Sequence, residues 1–212
     1  YSYFQNGDMV SDKYENHDGT ESAKYGDQTD WTWGATLGGP IVKDKLFFFA
    51  NYERSKKEFD NVYSTDNGMS KVDFDVAKDL LKYVTDQAAA QGVNYRGTLG
   101  TPKEYSYSDK VGLKLDWNIN DRNHASLRWS FVDAKQNNNT ASAGSLVTND
   151  YAYDFCSKTS SLVFELNSRI GNNMNNEFHA SWTSVRDKRN PGDPLPMIQI
   201  SSVGKGTLYI GN

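Results

Sequence analysis

Apolar and polar residues alternate one for one in several stretches of this chain. Trp31, Trp33, Ala35 and Leu37 interleave with Thr32, Gly34 and Thr36; a period of two places the apolar set on one face of a β-strand. Gly38-Gly39-Pro40 is expected to stop that strand, because proline has no N–H to donate to a ladder. Lys43-Asp44-Lys45 then makes a charged turn, and residues 46–53 run back as the partner strand. The pattern recurs further on. Val111, Leu113, Leu115 and Trp117 alternate with Lys110, Gly112, Lys114 and Asp116. After a turn at residues 119–123, Ala125, Leu127, Trp129 and Phe131 alternate with His124, Ser126, Arg128 and Ser130. In a third unit Leu162, Phe164 and Leu166 alternate with Ser161, Glu165 and Asn167, with Val163 the one apolar intruder; a turn at residues 171–175 leads to Phe178, Ala180 and Trp182 among Glu177, His179, Ser181 and Thr183. Each unit reads as a hairpin with one apolar and one polar face.

The connections are as informative as the strands. The hairpins occupy about residues 31–58, 107–135 and 157–189, and their turns are tight. The segments around them, about residues 8–30, 59–106, 136–156 and 190–212, are long and polar. Short turns at one end and long loops at the other is the layout of an outer-membrane barrel, with periplasmic turns and extracellular loops. A soluble all-β binding or adhesion module, with its apolar faces packed together as a sandwich, is the alternative reading. It has less reason to gather its tight turns at one end. A mean hydropathy of -0.74 does not exclude a membrane, because alternating strands are apolar at only half their positions. No run of about 18 apolar residues is present to form a transmembrane helix. The 212 residues include 13 Tyr, 10 Phe and 5 Trp, enough to furnish aromatic girdles at the two membrane interfaces.

The run Gly38-Gly39-Pro40-Ile41-Val42-Lys43-Asp44-Lys45-Leu46-Phe47-Phe48-Phe49-Ala50-Asn51-Tyr52-Glu53, preceded by Tyr1-Ser2-Tyr3-Phe4-Gln5-Asn6-Gly7, resembles a barrel segment of TonB-dependent outer-membrane receptors. Within that family it looks most like the Oar branch, large Bacteroidetes receptors with a carboxypeptidase-regulatory-like domain before their plug. The resemblance implies an all-β fold of antiparallel up-and-down strands forming part of a large transmembrane barrel of about twenty-two strands around a plug. It further implies the outer membrane of a Gram-negative bacterium, contact with outer-membrane lipid, and a TonB complex acting through an upstream plug. The implied activity is energised uptake of a large or scarce extracellular cargo, a peptide, protein or glycan before an iron chelate. No enzyme activity and no cofactor is implied. This chain reads as about seven strands, fewer than the smallest single-chain barrel, and as a fragment without the plug.

One segment departs from the β pattern. From Ser70 to Gly92 the apolar residues Val72, Phe74, Val76, Ala77, Leu80, Leu81, Val84 and Ala88 recur at spacings of three and four, a helical period. Ser70 is expected to cap its N-terminus and Gly92 to end it. A helix in the first long extracellular loop makes Phe74, Lys78, Lys82 and Tyr83 candidate cargo or gating residues. A helix that simply packs over the barrel mouth is the plainer alternative.

Strand phase assigns the remaining candidates. Phe48, Leu113, Leu115, Trp117, Leu127, Trp129, Leu162, Phe164 and Trp182 are expected to face lipid; Lys114, Asp116, Arg128, Glu165 and His179 are expected to face the lumen. Other chemistry is sparse. His17, His124 and His179 are far apart in sequence, and Cys156 is the single cysteine, so neither a metal site nor a Cys–His nucleophile is expected. The acidic series Asp8, Asp12, Glu15, Asp18, Glu21, Asp27 and Asp30 matches no calcium loop and reads as solvated. Gly204-Lys205-Gly206-Thr207 has no strand-to-helix context for a phosphate loop. A net charge of -4, with basic residues scattered, argues against nucleic acid.

Overall fold

The structure, a computed structural model, describes residues 2–5, 14–15, 21–22, 28–64, 70–100, 103–190 and 195–211. Its elements in chain order are β1 (Ser2–Gln5), β2 (Tyr14–Glu15), β3 (Glu21–Ser22), β4 (Gln28–Val42), β5 (Leu46–Asp60), α1 (Phe74–Ala90), β6 (Lys103–Asn120), β7 (Asn123–Asn138), β8 (Ser145–Val147), β9 (Tyr153–Ile170), β10 (Met174–Asn190), β11 (Ile198–Val203) and β12 (Gly206–Ile210). The main body is a seven-stranded sheet in the order β1-β4-β5-β6-β7-β9-β10, antiparallel throughout. Its long strands are the three hairpins that alternation predicts. Apart from the short strands β2 and β3, the acidic series from Asp8 to Asp27 lies outside the described residues, as does His17.

Gly38-Gly39-Pro40 does not end the first long strand. β4 continues to Val42, with Pro40 opposite Phe47 and a register shift between Pro40 and Val42. On its other side β1 pairs with Gln28 to Trp31 alone, so Pro40 lies where β4 has no second neighbour among the described residues, a position that tolerates proline. The turn that follows places Asp44 at φ 60 and is closed by Lys45 N–H donating to the Val42 carbonyl at 3.1 Å. Asp is among the few side-chain-bearing residues that adopt this left-handed conformation readily.

Helix α1 is close to its expected place, but its cap differs. Asp73, not Ser70, is the N-cap: its Oδ1 accepts from the Val76 N–H at 3.1 Å, while the Ser70 hydroxyl accepts from the Val72 N–H at 3.2 Å. At the other end Gly92 N–H donates to the Ala89 carbonyl and Val93 N–H to that of Ala88, both at 2.9 Å. With Gly92 at φ 77, this is a Schellman close.

The long connections are not separate loops. β8, β11 and β12 form a second sheet in the order β11-β12-β8, in which β12 pairs antiparallel with β11 and parallel with β8. Helix α1 packs on it. Val72, Ala77, Tyr95, Leu146, Val203, Leu208 and Ile210 form the buried core, with Phe74, Leu80, Leu81, Val84 and Ala88 of the helix against them. Segments expected to be long polar loops, within residues 59–106, 136–156 and 190–212, are therefore knitted into one cap at the end opposite the tight turns.

Gly204-Lys205-Gly206 is part of that knitting. It turns β11 into β12, and Gly204 (φ 65) bridges to Val72 so closely that a Cβ would lie 2.8 Å from the Asp73 nitrogen. Beneath it Tyr95 donates its hydroxyl to Asp150 Oδ1 at 2.9 Å. Burial foremost, with the adjacent Asp150, pushes the Tyr95 phenol up to about 12, so it remains a donor at physiological pH. Asn61 Nδ2 donates to Glu104 on β6, and Asn139 Nδ2 to Ser64, joining the connections that leave β5 and β7.

Leu208 is fully buried in the cap. Leu208→Ala should cost the cap about 2–5 kcal/mol and raise hydrogen exchange across α1. Exchange in β6, β7 and β9 should be unchanged; loosening of those strands to the same degree would mean that cap and wall fold as one unit.

Candidate functional site

The feature with functional content is the wall itself, whose two faces can be read row by row through the cross-strand register. On one face a row runs Leu37, Ala50, Leu113, Trp129, Leu162 and Trp182; the next toward the tight turns runs Gly39, Phe48, Leu115, Leu127, Phe164 and Ala180. A further row is Leu46, Trp117, Ala125, Leu166 and Phe178. On the opposite side of the Leu37 row lies Ala35, Tyr52, Val111 and Phe131. All nine residues assigned to lipid by strand phase thus share one continuous apolar surface. Trp33, Leu37, Leu113, Trp117, Leu127 and Trp182 are exposed on this face, a contiguous apolar area of the kind that marks contact with a partner or a membrane.

The other face is polar. One row is Phe49, Lys114, Arg128, Val163 and Ser181, and the next is Phe47, Asp116, Ser126, Glu165 and His179. The five residues assigned to the lumen therefore lie in two adjacent rows. Lys114 Nζ is 2.8 Å from Asp116 Oδ1, His124 Nε2 is 3.8 Å from the same carboxylate, and Ser126 donates to Glu165 at 3.4 Å. Arg128 forms no ion pair among the described residues. Gly112 admits the Asn51 carboxamide from across the strand pair: a Cβ there would meet Asn51 Oδ1 at 2.2 Å. Near the tight turns, Asn118, Asn120, His124, Asn167, Asn175 and Glu177 line a broad polar hollow, in which Asn118 and His124 are joined at 2.8 Å.

This arrangement can partition between two solvents. Among the described residues no group of three or more His, Cys, Asp or Glu side chains is gathered to hold a metal. Cys156 stands apart from both His124 and His179, opposite Lys188 and Lys135. Of the loop candidates, Lys78, Lys82 and Tyr83 are exposed on α1, whereas Phe74 is half-buried against the cap core with Lys78 Nζ 5.0 Å above its ring.

A long antiparallel meander with one apolar face, one polar face and tight turns at one end defines a wall of a membrane barrel. Residues 1–73 and 58–206 match the family model described as outer membrane beta barrel domain, so the chain belongs to that family and is placed in the outer membrane. Among solved structures it is similar to the outer membrane transporter YddB from Escherichia coli, with a TM-score of 0.55 and 11% identity. The match covers 90% of this chain and 21% of that one, so the chain spans about a fifth of the transporter's length. At this identity the likeness is one of fold. No curated protein matches. The seven-stranded sheet is not closed among the described residues.

An arginine at Leu127 or Phe164 should impair barrel assembly, at a cost of ~2–4 kcal/mol near the membrane midplane. Arginine at Ser181 or Thr183, exposed on the polar face, should assemble at near-normal levels by heat-modifiable gel mobility. Equal damage at both pairs would contradict the assignment of faces.

Proposed function

We propose that this chain is barrel wall and outer cap of a TonB-dependent receptor of the Oar-like branch, which takes up a large or scarce nutrient: a peptide, a protein or a glycan. The observation that carries this reading is the folded cap at the end opposite the tight turns, built from three connections that meet over one end of a two-faced wall. A cap of that kind suits capture of cargo, since exposed residues on a rigid support are where binding groups concentrate. The stretch from Gly38 to Glu53 supports the branch, and the outer-membrane family disfavours the soluble binding module. In this reading a plug fills the lumen, TonB acts through it, and Lys114, Asp116, Arg128, Glu165 and His179 face it. The nine apolar residues of the other face meet lipid. Transport of this kind needs no catalytic residue and no cofactor in the wall.

The exposed side of α1 is the proposed cargo contact. Tyr83 is 63% exposed; Lys82 precedes it in the chain, and Lys78 lies about one turn before Lys82 on α1. Phe74 serves the cap core instead. Deleting residues 70–92 would strip Val72 and Ala77 from that core, so point substitutions isolate binding better. The combination K78A, K82A and Y83A should leave surface abundance normal and reduce cargo uptake by tenfold or more, and uptake by the unaltered protein should vanish in cells lacking TonB. Normal uptake by the triple variant would refute α1 as a contact, and TonB-independent uptake would refute the receptor class.

A further inference from the structure

The buried polar side chains of the cap connections are Asn61, Ser64, Asn139, Thr148 and Asp150, and of these Asp150 alone carries a charge. It is 4% exposed, and its chain neighbours Val147, Thr148 and Ala152 are buried with it. Its Oδ1 accepts from the Tyr95 hydroxyl at 2.9 Å. Its Oδ2 has no partner, and Asp150 forms no ion pair among the described residues. A carboxylate taken out of water with one neutral donor for its two oxygens keeps most of its desolvation cost. The enclosure is made by residues of this chain alone, so the free oxygen does not belong to an open sheet edge.

The polar atoms gathered at this point are mostly oxygens. Thr148 is fully buried, with its Oγ1 3.4 Å from the Tyr95 hydroxyl. That oxygen also lies 3.4 Å from the Tyr209 carbonyl and 3.3 Å from the Gly211 nitrogen. All three separations exceed the usual hydrogen-bond range, and each hydroxyl oxygen retains lone pairs. Charge then decides what satisfies Asp150. A water molecule pairs with Oδ2 but leaves the charge uncompensated. A divalent ion overcompensates it, leaving a buried positive charge as costly as the bare carboxylate. One monovalent cation leaves the cluster neutral, and carboxylate with hydroxyl and carbonyl oxygens is the donor set that hard cations take. The closed surroundings favour the smaller common ion.

We propose that the cap binds one sodium ion at Asp150, with the hydroxyl oxygens of Thr148 and Tyr95 as neutral ligands beside the carboxylate. Bound there, the ion fastens Tyr95, which follows α1, to Thr148 and Asp150, which follow β8. The neighbouring Gly211 is the residue after β12, so the site joins all three connections from which the cap is built. Sodium thereby stabilises the closed cap against local opening, by mass action on the state that holds the ion. The proposal is independent of which cargo the cap receives.

The test follows hydrogen exchange across residues 145–151 and 206–211 of the whole protein in nanodiscs of phosphatidylcholine, in sodium chloride and in choline chloride of equal ionic strength. Exchange in these segments should slow about tenfold once sodium reaches about ten times its dissociation constant, while β6 and β7 are unchanged. Asp150→Asn keeps the shape and removes the charge; it should give a normal heat-modifiable barrel whose cap exchanges alike in the two salts. Three results would overturn the proposal: equal exchange of the unaltered protein in the two salts up to molar concentration, which would mean that a water or a proton satisfies Asp150; a sodium effect that persists in D150N; or slowing by calcium chloride where sodium gives none. Should D150N fail to assemble, the comparison of salts on the unaltered protein decides by itself.

Discussion

Everything in this structure depends on the backbone ladder keeping the two-residue alternation in phase across neighbouring strands. Within a bilayer each backbone N–H and C=O needs a protein partner, because hydrocarbon offers none. The pairing β4-β5-β6-β7-β9-β10 is unbroken through the rows that hold the apolar residues. A slip of one residue at any pair would rotate a whole strand and move its apolar set to the polar face. The register shifts within the wall lie near the tight turns, between Pro40 and Val42 and between Asn118 and Asn120. There the chain is reversing, and the faces of the wall are not disturbed.

The cap follows from the same meander. Because consecutive strands are antiparallel neighbours, the connections from β5 to β6 and from β7 to β9, and the chain after β10, all emerge at one end. Proximity lets Ser145–Val147 pair in parallel with β12, although the two are distant in sequence. The described residues with the least exposed apolar side chains, Leu146, Leu208 and Ile210, lie in this cap and not in the wall. A single layer of sheet has no dry core of its own; the cap makes one.

The long strands were legible because alternation over many residues is hard to produce by other means, and the helix because its apolar spacing switches from two to three and four. That Phe164 falls on the apolar face and Glu165 on the polar one followed from parity alone. The cap was not legible. β11 and β12 alternate at Ile198 and Ile200 and at Leu208 and Ile210, but over stretches too short to stand apart from a polar loop, and the three residues of β8 carry no period. Which of Ser70 and Asp73 would cap α1 could not be settled by residue type, since both are good caps; the bridge between Val72 and Gly204 decides it by holding Val72 outside the helix. Cross-strand neighbours needed the register, because residues such as Arg186 and Lys158 meet only once β9 and β10 are aligned.

The central claim, that the apolar face meets lipid and the polar face does not, is most directly tested by scanning a spin label through residues 111–116 of β6 in a Cys156→Ser background. Accessibility to oxygen dissolved in the bilayer should peak at residues 111, 113 and 115 and fall at 112, 114 and 116, with a water-soluble relaxation agent showing the opposite phase. Loss of the alternation, or its inversion, would contradict the account.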